Sequence, residues 1–400
     1  MKFFHTADWH LGKLVQGVYM TEDQRHVLGQ LIRDIETEKP DAVVVAGDLY
    51  DRAVPPTEAV ELLDETLRTI VLDRKTPVLA IAGNHDSPSR LHFGSRIMKA
   101  AGLHMAGELA EPFAPVVLHD EFGPVHFYLV PYADPAKVRL ALGDESIHTH
   151  DDAMQAIVAK LTETFVPGTR NVLVGHAFVT PAGEAKPNTS DSERPLAVGG
   201  AEHVSAERFA KFDYVALGHL HQAHFVGREA VQYAGSPLKY SISEERHRKG
   251  YLIVELDGDG AARIRKRELE PLRDMRTVEG YIEEIERGEP SDDYVFVRLL
   301  DELPVTSPME RVRAVYPNAM HVERKGALEQ LGAAGGAAEV GSRAGMDMMT
   351  LFRSFYLEAK GAEPSEETER LFVQVLREME REEGERHEAD PADDDGVRAV

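Results

Sequence analysis

Cysteine is missing from all 400 residues, which removes disulfides and thiolate zinc sites together. That suits a reducing compartment, and a cytoplasmic protein is the expectation. Long apolar runs are missing too: none approaches the roughly eighteen uninterrupted residues of a membrane span. Met1-Lys2-Phe3-Phe4 is too short, and enters an apolar strand too soon, to read as a secretory leader. Positive charge is scarce, with 45 Lys and Arg against 69 Asp and Glu and a net charge of −24. Fifteen acidic and only six basic residues lie in 358–400. Such a balance argues against loose binding of polyanions. A nucleic-acid substrate stays open only if bound divalent cations supply positive charge locally.

What is present is a core and an abundance of imidazole. Hydrophobic residues make up 42% of the chain, and there are 18 histidines. A chain of this length predicts two or three structural units. Short apolar runs at Lys2–His5, Ala42–Ala46 and Val78–Ala82 read as buried strands, separated by two amphipathic helices. The first helix opens at Thr21-Glu22-Asp23-Gln24, a capping-box pattern, and carries Val27, Leu28, Leu31, Ile32 and Ile35. The second spans Thr57–Asp73, with Val60, Leu63, Leu67, Ile70 and Val71 apolar. Strand–helix alternation with short connections predicts a parallel α/β sheet. Directly after the three strands stand Asp8-Trp9-His10, Gly47-Asp48-Leu49-Tyr50-Asp51 and Gly83-Asn84-His85-Asp86. Residues at the carboxyl ends of parallel strands converge on one crevice.

Further along, strands are expected at Val125–Val130, Asn171–Val174 and Asp213–Leu217, and a helix at Asp151–Phe165. The later two strands end in Gly175-His176 and Gly218-His219-Leu220-His221. Residues 180–200 read as a long loop. Strands Ala230–Ala234, Tyr251–Leu256 and Ala261–Glu268 follow, the last two as a hairpin about Gly258-Asp259-Gly260. Residues 1–270 are thus expected to form one domain. Over 271–325 the pattern helix (Thr277–Arg287), strand, helix, strand predicts a small α+β unit. A Gly/Ala-rich linker is expected over 326–346, two amphipathic helices over 347–383, and an acidic disordered tail over 384–400. The helices carry Met348, Met349, Phe352, Phe355 and Tyr356, then Leu371, Phe372, Val375, Leu376 and Met379. They either pack on each other or dock on a partner's helices.

Seven O/N side chains at strand ends are too many for one ion and suit two ions sharing a carboxylate. Asp48 is expected to bridge. Asp8, His10 and His221 would complete the first site, and Asn84, His176 and His219 the second. Alternation should send His219 and His221 to one side. Sulfur-free donors favour manganese, iron or zinc over calcium. Asp51 is a candidate to orient a ligand. His85, next to Asn84, should reach the crevice as general acid, with Asp86 either holding its tautomer or capping the turn. Arg90 is a candidate phosphate contact. His5, His104, His126 and His224 read as ordinary structural imidazoles.

Asp-x-His, Gly-Asp-x-x-Asp, Gly-Asn-His-Asp, Gly-His and Gly-His-x-His, in that order, resemble the calcineurin-like metallophosphoesterases. The resemblance implies an αββα sandwich with two central mixed sheets and a two-metal site. His5-Thr6-Ala7-Asp8-Trp9-His10-Leu11-Gly12, Ala46–Asp51 with Pro55-Pro56, Ala82–Ser87, Tyr233-Ala234-Gly235-Ser236-Pro237 and Ser243-Glu244-Glu245 narrow it. They look like the SbcD family of nuclease subunits. The SbcD resemblance implies two Mn²⁺ ions, double-strand exonuclease and single-strand or hairpin endonuclease activity, and a role in DNA repair and recombination. It also implies a homodimer within a heterotetramer, and a helical hairpin bound to the coiled-coil base of an SbcC-type ATPase. The site would then act in the cytoplasm, at the nucleoid. Some relatives carry His where this chain has Asp51, which leaves that helper's role without a holder. Two other readings compete. One is a phosphodiesterase or phosphatase acting on a small molecule or phosphoprotein; the other is an inactive scaffold.

Overall fold

The computed structural model describes residues 1–109, 113–181, 190, 191, 193, 203–324, 349, 350, 352, 353, 356, 363–365 and 367–375. Two compact units divide the chain. One comprises residues 1–277, 291–296 and 316–321, and the other 278–290, 297–315 and 322–400.

The first unit is built on two six-stranded sheets. Strands β1 (Lys2–Thr6), β2 (Ala42–Val45), β3 (Val78–Ile81) and β4 (Leu103–Ala106) run parallel, with α1 (Thr21–Glu38) and α2 (Thr57–Arg68) connecting the first three. In the second sheet, β5 (Val116–Asp120) pairs antiparallel to β6 (Gly123–Val130). Helix α3 (His150–Glu163) then leads to β7 (Arg170–His176) and β8 (Tyr214–Gly218), parallel to each other and to β6. Strands β9 (His224–Val226) and β10 (Arg228–Tyr233) close that sheet. The hairpin β11 (Gly250–Leu256) and β12 (Ala262–Glu268) returns to the first sheet beside β1.

Both faces of the central strands are covered, which explains why those strands read as continuous apolar runs. Phe3, Val44, Leu79, Phe127, Val172, Tyr214 and Val254 fill the space between the sheets. Phe3 sets its ring edge-on to Phe127 and Tyr214 at 5.5 Å. Outside the first sheet, Val27, Leu28, Leu31 and Ile35 of α1 and Leu62 and Leu63 of α2 pack on Phe4, Val43 and Val45. Outside the second, Met154, Ile157 and Leu161 of α3 pack with Tyr128, Leu173 and Val215. The result is a four-layer αββα sandwich. His5 is locked between the sheets by Tyr214 Oη and the Leu217 carbonyl.

Three local expectations fail. The capping box at Thr21 does not form: the helix is preceded by Met20, which makes no side-chain cap. Gln24 instead turns inward, donating to the carbonyls of Trp9 and His10 and accepting from Gly12 N–H. Val60 is exposed, while Ala59, Leu62 and Thr66 take the buried face of α2. The segment Thr277–Arg287 is not one helix. It closes the strand Met275–Gly280 and then forms the short helix Ile282–Ile285. Gly280 breaks the helical run, and β-branched Thr277 and Val278 favour extended backbone.

In the second unit, helices Ile282–Ile285 and Pro308–Arg313 are tied by a bidentate ion pair between Arg311 and Glu286. Toward the end of the chain, Phe352 stacks on Phe372 at 3.9 Å and Arg353 clasps Glu369. These two helical stretches therefore face each other. The expected linker 326–346 and tail 384–400 lie outside the described residues.

Candidate metal centre

The loops after β1 and β2 are zipped by backbone bonds: Asp8 N–H to the Gly47 carbonyl, His10 to Asp48, Leu11 to Leu49, and Asp51 back to Leu11. The loop after β3 joins them through Asp86. Its carboxylate accepts the backbone N–H groups of Gly83, Leu49 and Tyr50 at 2.9–3.1 Å. Asp86 thus clamps two loops together and does not hold the His85 ring. His85 is held at both ends of its residue. Its N–H donates to Asp48 Oδ1 at 2.9 Å, and its Nδ1 donates to the Asp51 carbonyl at 2.8 Å. A carbonyl can only accept, so Nδ1 carries the proton and Nε2 is left for the crevice.

The second sheet closes the site from the opposite side. His176 Nδ1 donates to the Ala46 carbonyl, and its Nε2 lies 2.9 Å from Asn84 Oδ1 and 3.4 Å from Asp48 Oδ2. His219 Nδ1 also meets Asn84 Oδ1, at 3.3 Å, while its backbone N–H donates to Asp8. His221 Nε2 faces His10 Nε2 at 3.1 Å, and His10 Nε2 is 3.7 Å from Asp48 Oδ2. All seven residues expected as ligands therefore meet in one crevice. Ligand atoms of Asp8, His10 and His221 lie within 4.8 Å of one another, as do those of Asp8, Asp48 and His176. Asp48 Oδ2 lies between His10 and His176, while Asp8 belongs to both clusters.

The backbone shows what this convergence costs. Asp8, His10, Asp48 and His219 have φ of +53°, +46°, +49° and +106°. Left-handed backbone at a non-glycine residue costs on the order of 1–3 kcal/mol and persists where the surroundings enforce it. It also overturns the alternation argument for His219 and His221. His219 is not extended, and the two rings point to different ends of the crevice, toward Asn84 and His10. Gly83 sits so close to Asp48 that a Cβ there would collide with Oδ1. Glycine in that motif is a matter of space.

Electrostatics fits a cation-requiring site. Burial pushes Asp8 up to about 7 against the pull of His176 and His221. Burial would raise Asp48 as well, but the His176 charge holds it well below the usual carboxylate range. Burial would lower His176, yet the Asp48 charge lifts it to about 9, while His10 is lowered by burial to about 3. Protons occupy positions that divalent cations would fill, with carboxylate and imidazole donors matching manganese, iron or zinc. Metal loading should therefore release protons. His176 is protonated at pH 7–8 in the metal-free protein and must be neutral to ligate, so affinity should rise toward pH 9. The same shift stabilises the metal-free fold fully below about pH 6.5, and that contribution is lost as pH rises through about 9. Titration calorimetry at pH 7.5 in buffers of different ionisation enthalpy should find proton release; none would contradict this protonation state.

Residues beyond the motifs support the ligands. His10 Nδ1 lies 3.6 Å from Asp51 Oδ1, and Lys13 Nζ is ion-paired with the same oxygen at 2.8 Å. Burial would raise Asp51, but His10 and Lys13 hold it well below the carboxylate range. Fully buried Glu244 accepts from His221 Nδ1 at 3.0 Å and from Lys249 Nζ at 2.6 Å. Lys249 also donates to the His221 carbonyl and Ser236 Oγ. Glu193, in the long loop, accepts the His221 backbone N–H. Sequence reasoning missed Glu193 and Lys249 altogether, took Gln24 for part of a helix cap, and saw Glu244 only within a short resemblance. Their spacing carries no pattern, since each acts through a ligand from another element. Glu244→Gln is expected to weaken metal binding about 10–100-fold, measured by Mn²⁺ titration. Arg90 stands exposed on the short helix Pro88–His92.

Residues 1–223 match the calcineurin-like phosphoesterase family, and residues 271–360 match the type 5 capsule protein repressor C-terminal domain. The fold and the crevice thus define a phosphoesterase, a hydrolase of the metal-dependent class. The chain is 34% identical over 324 residues to the SbcD subunit of nuclease SbcCD from Staphylococcus epidermidis, covering 80% of this chain and 84% of that protein. It is 35% identical over 326 residues to the protein of the same name from Staphylococcus saprophyticus, with the same coverage. A solved chain, TT1561 of Thermus thermophilus, aligns with 66% of this chain and 98% of its own at 12% identity and a TM-score of 0.37, too slight a likeness to bear on the fold. The chain belongs to the calcineurin-like phosphoesterases and, within them, to the SbcD family.

Proposed function

We propose that the protein is a DNA nuclease subunit that hydrolyses phosphodiesters at a two-metal site loaded with Mn²⁺. The observation that carries this reading is the convergence of seven O/N donors from five strand ends, beside a His85 whose Nε2 is left to the crevice. Asp8, His10 and His221 with Asp48 would hold one ion, and Asn84, His176 and His219 with Asp48 the other. Bound divalent ions would lower the pKa of an attacking water and neutralise charge on the phosphate. The chain's own residues orient and protonate. Asp48 fixes the His85 backbone, the Asp51 carbonyl fixes its tautomer, and protonated Nε2 delivers a proton to the leaving oxygen.

The kinship supports the rest of the reading: exonuclease action on double strands and endonuclease action on single strands and hairpins, in repair and recombination. The protein would work with an SbcC-type ATPase in the cytoplasm, at the nucleoid. The proposed division is a nuclease domain over 1–270, a capping unit over 271–325 and an ATPase-binding helical pair within 347–383. Among the described residues, no helix is long and apolar enough to cross a membrane. A homodimer is favoured by Phe93 and Ile97, apolar yet 85% and 81% exposed and close together in the chain. Ile97→Glu is expected to shift the protein to monomer in sedimentation analysis; an unchanged dimer would place the contact elsewhere. The decisive assay is Mn²⁺-dependent cleavage of a labelled hairpin DNA, with and without the ATPase. Cleavage of bis-p-nitrophenyl phosphate with DNA untouched would favour a small-substrate phosphodiesterase.

A further inference from the structure

We propose that Lys13 is a substrate-binding residue, its ammonium taking a nonbridging phosphate oxygen of the DNA strand beside His85. The inference rests on the nuclease reading above and adds to it the cation that this crevice offers to substrate. The crevice collects Asp8, Asp48, Asp51 and Asp86, and the whole chain carries −24. Bound ions would neutralise the reacting phosphate, and a positive group of the protein's own would hold the strand beside it. Among the described residues, two lysines touch this network. Lys249 is fully engaged behind His221, with Glu244, Ser236 and the His221 carbonyl as acceptors, and is closed to substrate. Lys13 is at the rim.

The placement of Lys13 is set from both ends. Its backbone N–H donates to the His10 carbonyl and its own carbonyl accepts from Met20, so the root of the side chain is fixed close to a ligand position. Its Nζ forms an ion pair with Asp51 Oδ1 at 2.8 Å and lies 5.9 Å from the centre of the Tyr240 ring. Nitrogen atoms of His10 and His85 and an oxygen of Asp51 lie within 4.8 Å of one another. The ammonium therefore stands one carboxylate away from the ring assigned the proton transfer. An ammonium has three donors. The side chain is ion-paired with Asp51 and 14% exposed, so it is sheltered and yet open to a ligand. Asp51 then has a part that an imidazole at this position would not play: it holds a lysine in place for phosphate.

The alternative is a Lys13–Asp51 pair that only braces the loops. The two differ in salt dependence, because each neutralised phosphate on a single strand adds about 0.7 to the slope of log affinity against log salt. Binding of a single-stranded oligonucleotide would be measured with Mn²⁺ in a His85→Gln background, where the strand stays intact. Adding Lys13→Met should weaken binding about tenfold and flatten the slope by about 0.7, and Lys13→Arg should restore the slope. With His85 present, Lys13→Met should raise KM more than it lowers kcat at saturating Mn²⁺. Should the Met variant not fold, Lys13→Gln, which can still donate to Asp51, decides the matter. A folded Met or Gln variant with an unaltered salt slope overturns the proposal. If the unmodified protein fails to cleave hairpin DNA with Mn²⁺, the nuclease reading falls first, before any variant is compared.

Discussion

His85→Gln should lower turnover by about 10²–10⁴-fold or more, in a protein that still binds the proposed pair of metal ions. The ring is not among the seven proposed ligands. It is attached to the site through its backbone bond to Asp48 Oδ1 and its Nδ1 bond to the Asp51 carbonyl. Glutamine keeps the backbone bond and removes the titratable nitrogen. The metal site should therefore persist while the proton donor disappears. Equilibrium Mn²⁺ binding, read beside single-turnover cleavage, separates the two effects. Loss of one ion from this variant would make His85 a ligand, and the general acid would have to be sought elsewhere. Slow residual cleavage of substrates with good leaving groups should survive, because such oxygens need no proton.

Asp48→Asn is expected to remove both metal binding and activity. Oδ2 lies 3.7 Å from His10 and 3.4 Å from His176, and Oδ1 holds His85, so one carboxylate ties together both proposed ion sites and the acid. An amide cannot give an anionic oxygen to each of two ions. Asp48 is also buried among Asp8 and Asp86, whose carboxyls are both pushed up to about 7 mainly by burial, with the Asp48 charge adding to it. Neutralising Asp48 relieves that repulsion but also removes the charge that lifts His176 to about 9, so the two effects on the metal-free fold oppose each other. Thermal unfolding should show a Mn²⁺-dependent rise for the unmodified protein, amounting to about 2.7 kcal/mol at a hundredfold excess over Kd. The variant should show none. A retained rise would mean that the ions are held without Asp48.

The five motifs were legible because each pairs a buried strand with a short turn, and both leave local marks. An apolar run such as Ala42–Val45 reads as a strand, and the Gly-Asp after it reads as an abrupt turn. The helices between strands were legible from their periodicity, since α1 buries one stripe. Where local marks misled, a tertiary demand had overridden them. Thr21-x-x-Gln24 looks like a cap, but Gln24 braces the Trp9 and His10 carbonyls. Asp86 had two local readings, and the structure brings it to the backbone amides of Leu49 and Tyr50, 37 and 36 residues away.

Sequence alone determined the identity and order of the chemistry-bearing residues and the strand-end positions they occupy. Residue type and the period of an apolar run are properties of a few neighbouring positions. Tertiary structure decided which ring faces which partner. It sent His219 toward Asn84 and His221 toward His10, and it put Glu244 behind His221 and Lys13 beside Asp51. Those outcomes depend on left-handed turns and on contacts across as many as 211 residues, enforced by the packing of two sheets against each other. No local pattern encodes a contact whose two halves are brought together by a shared core.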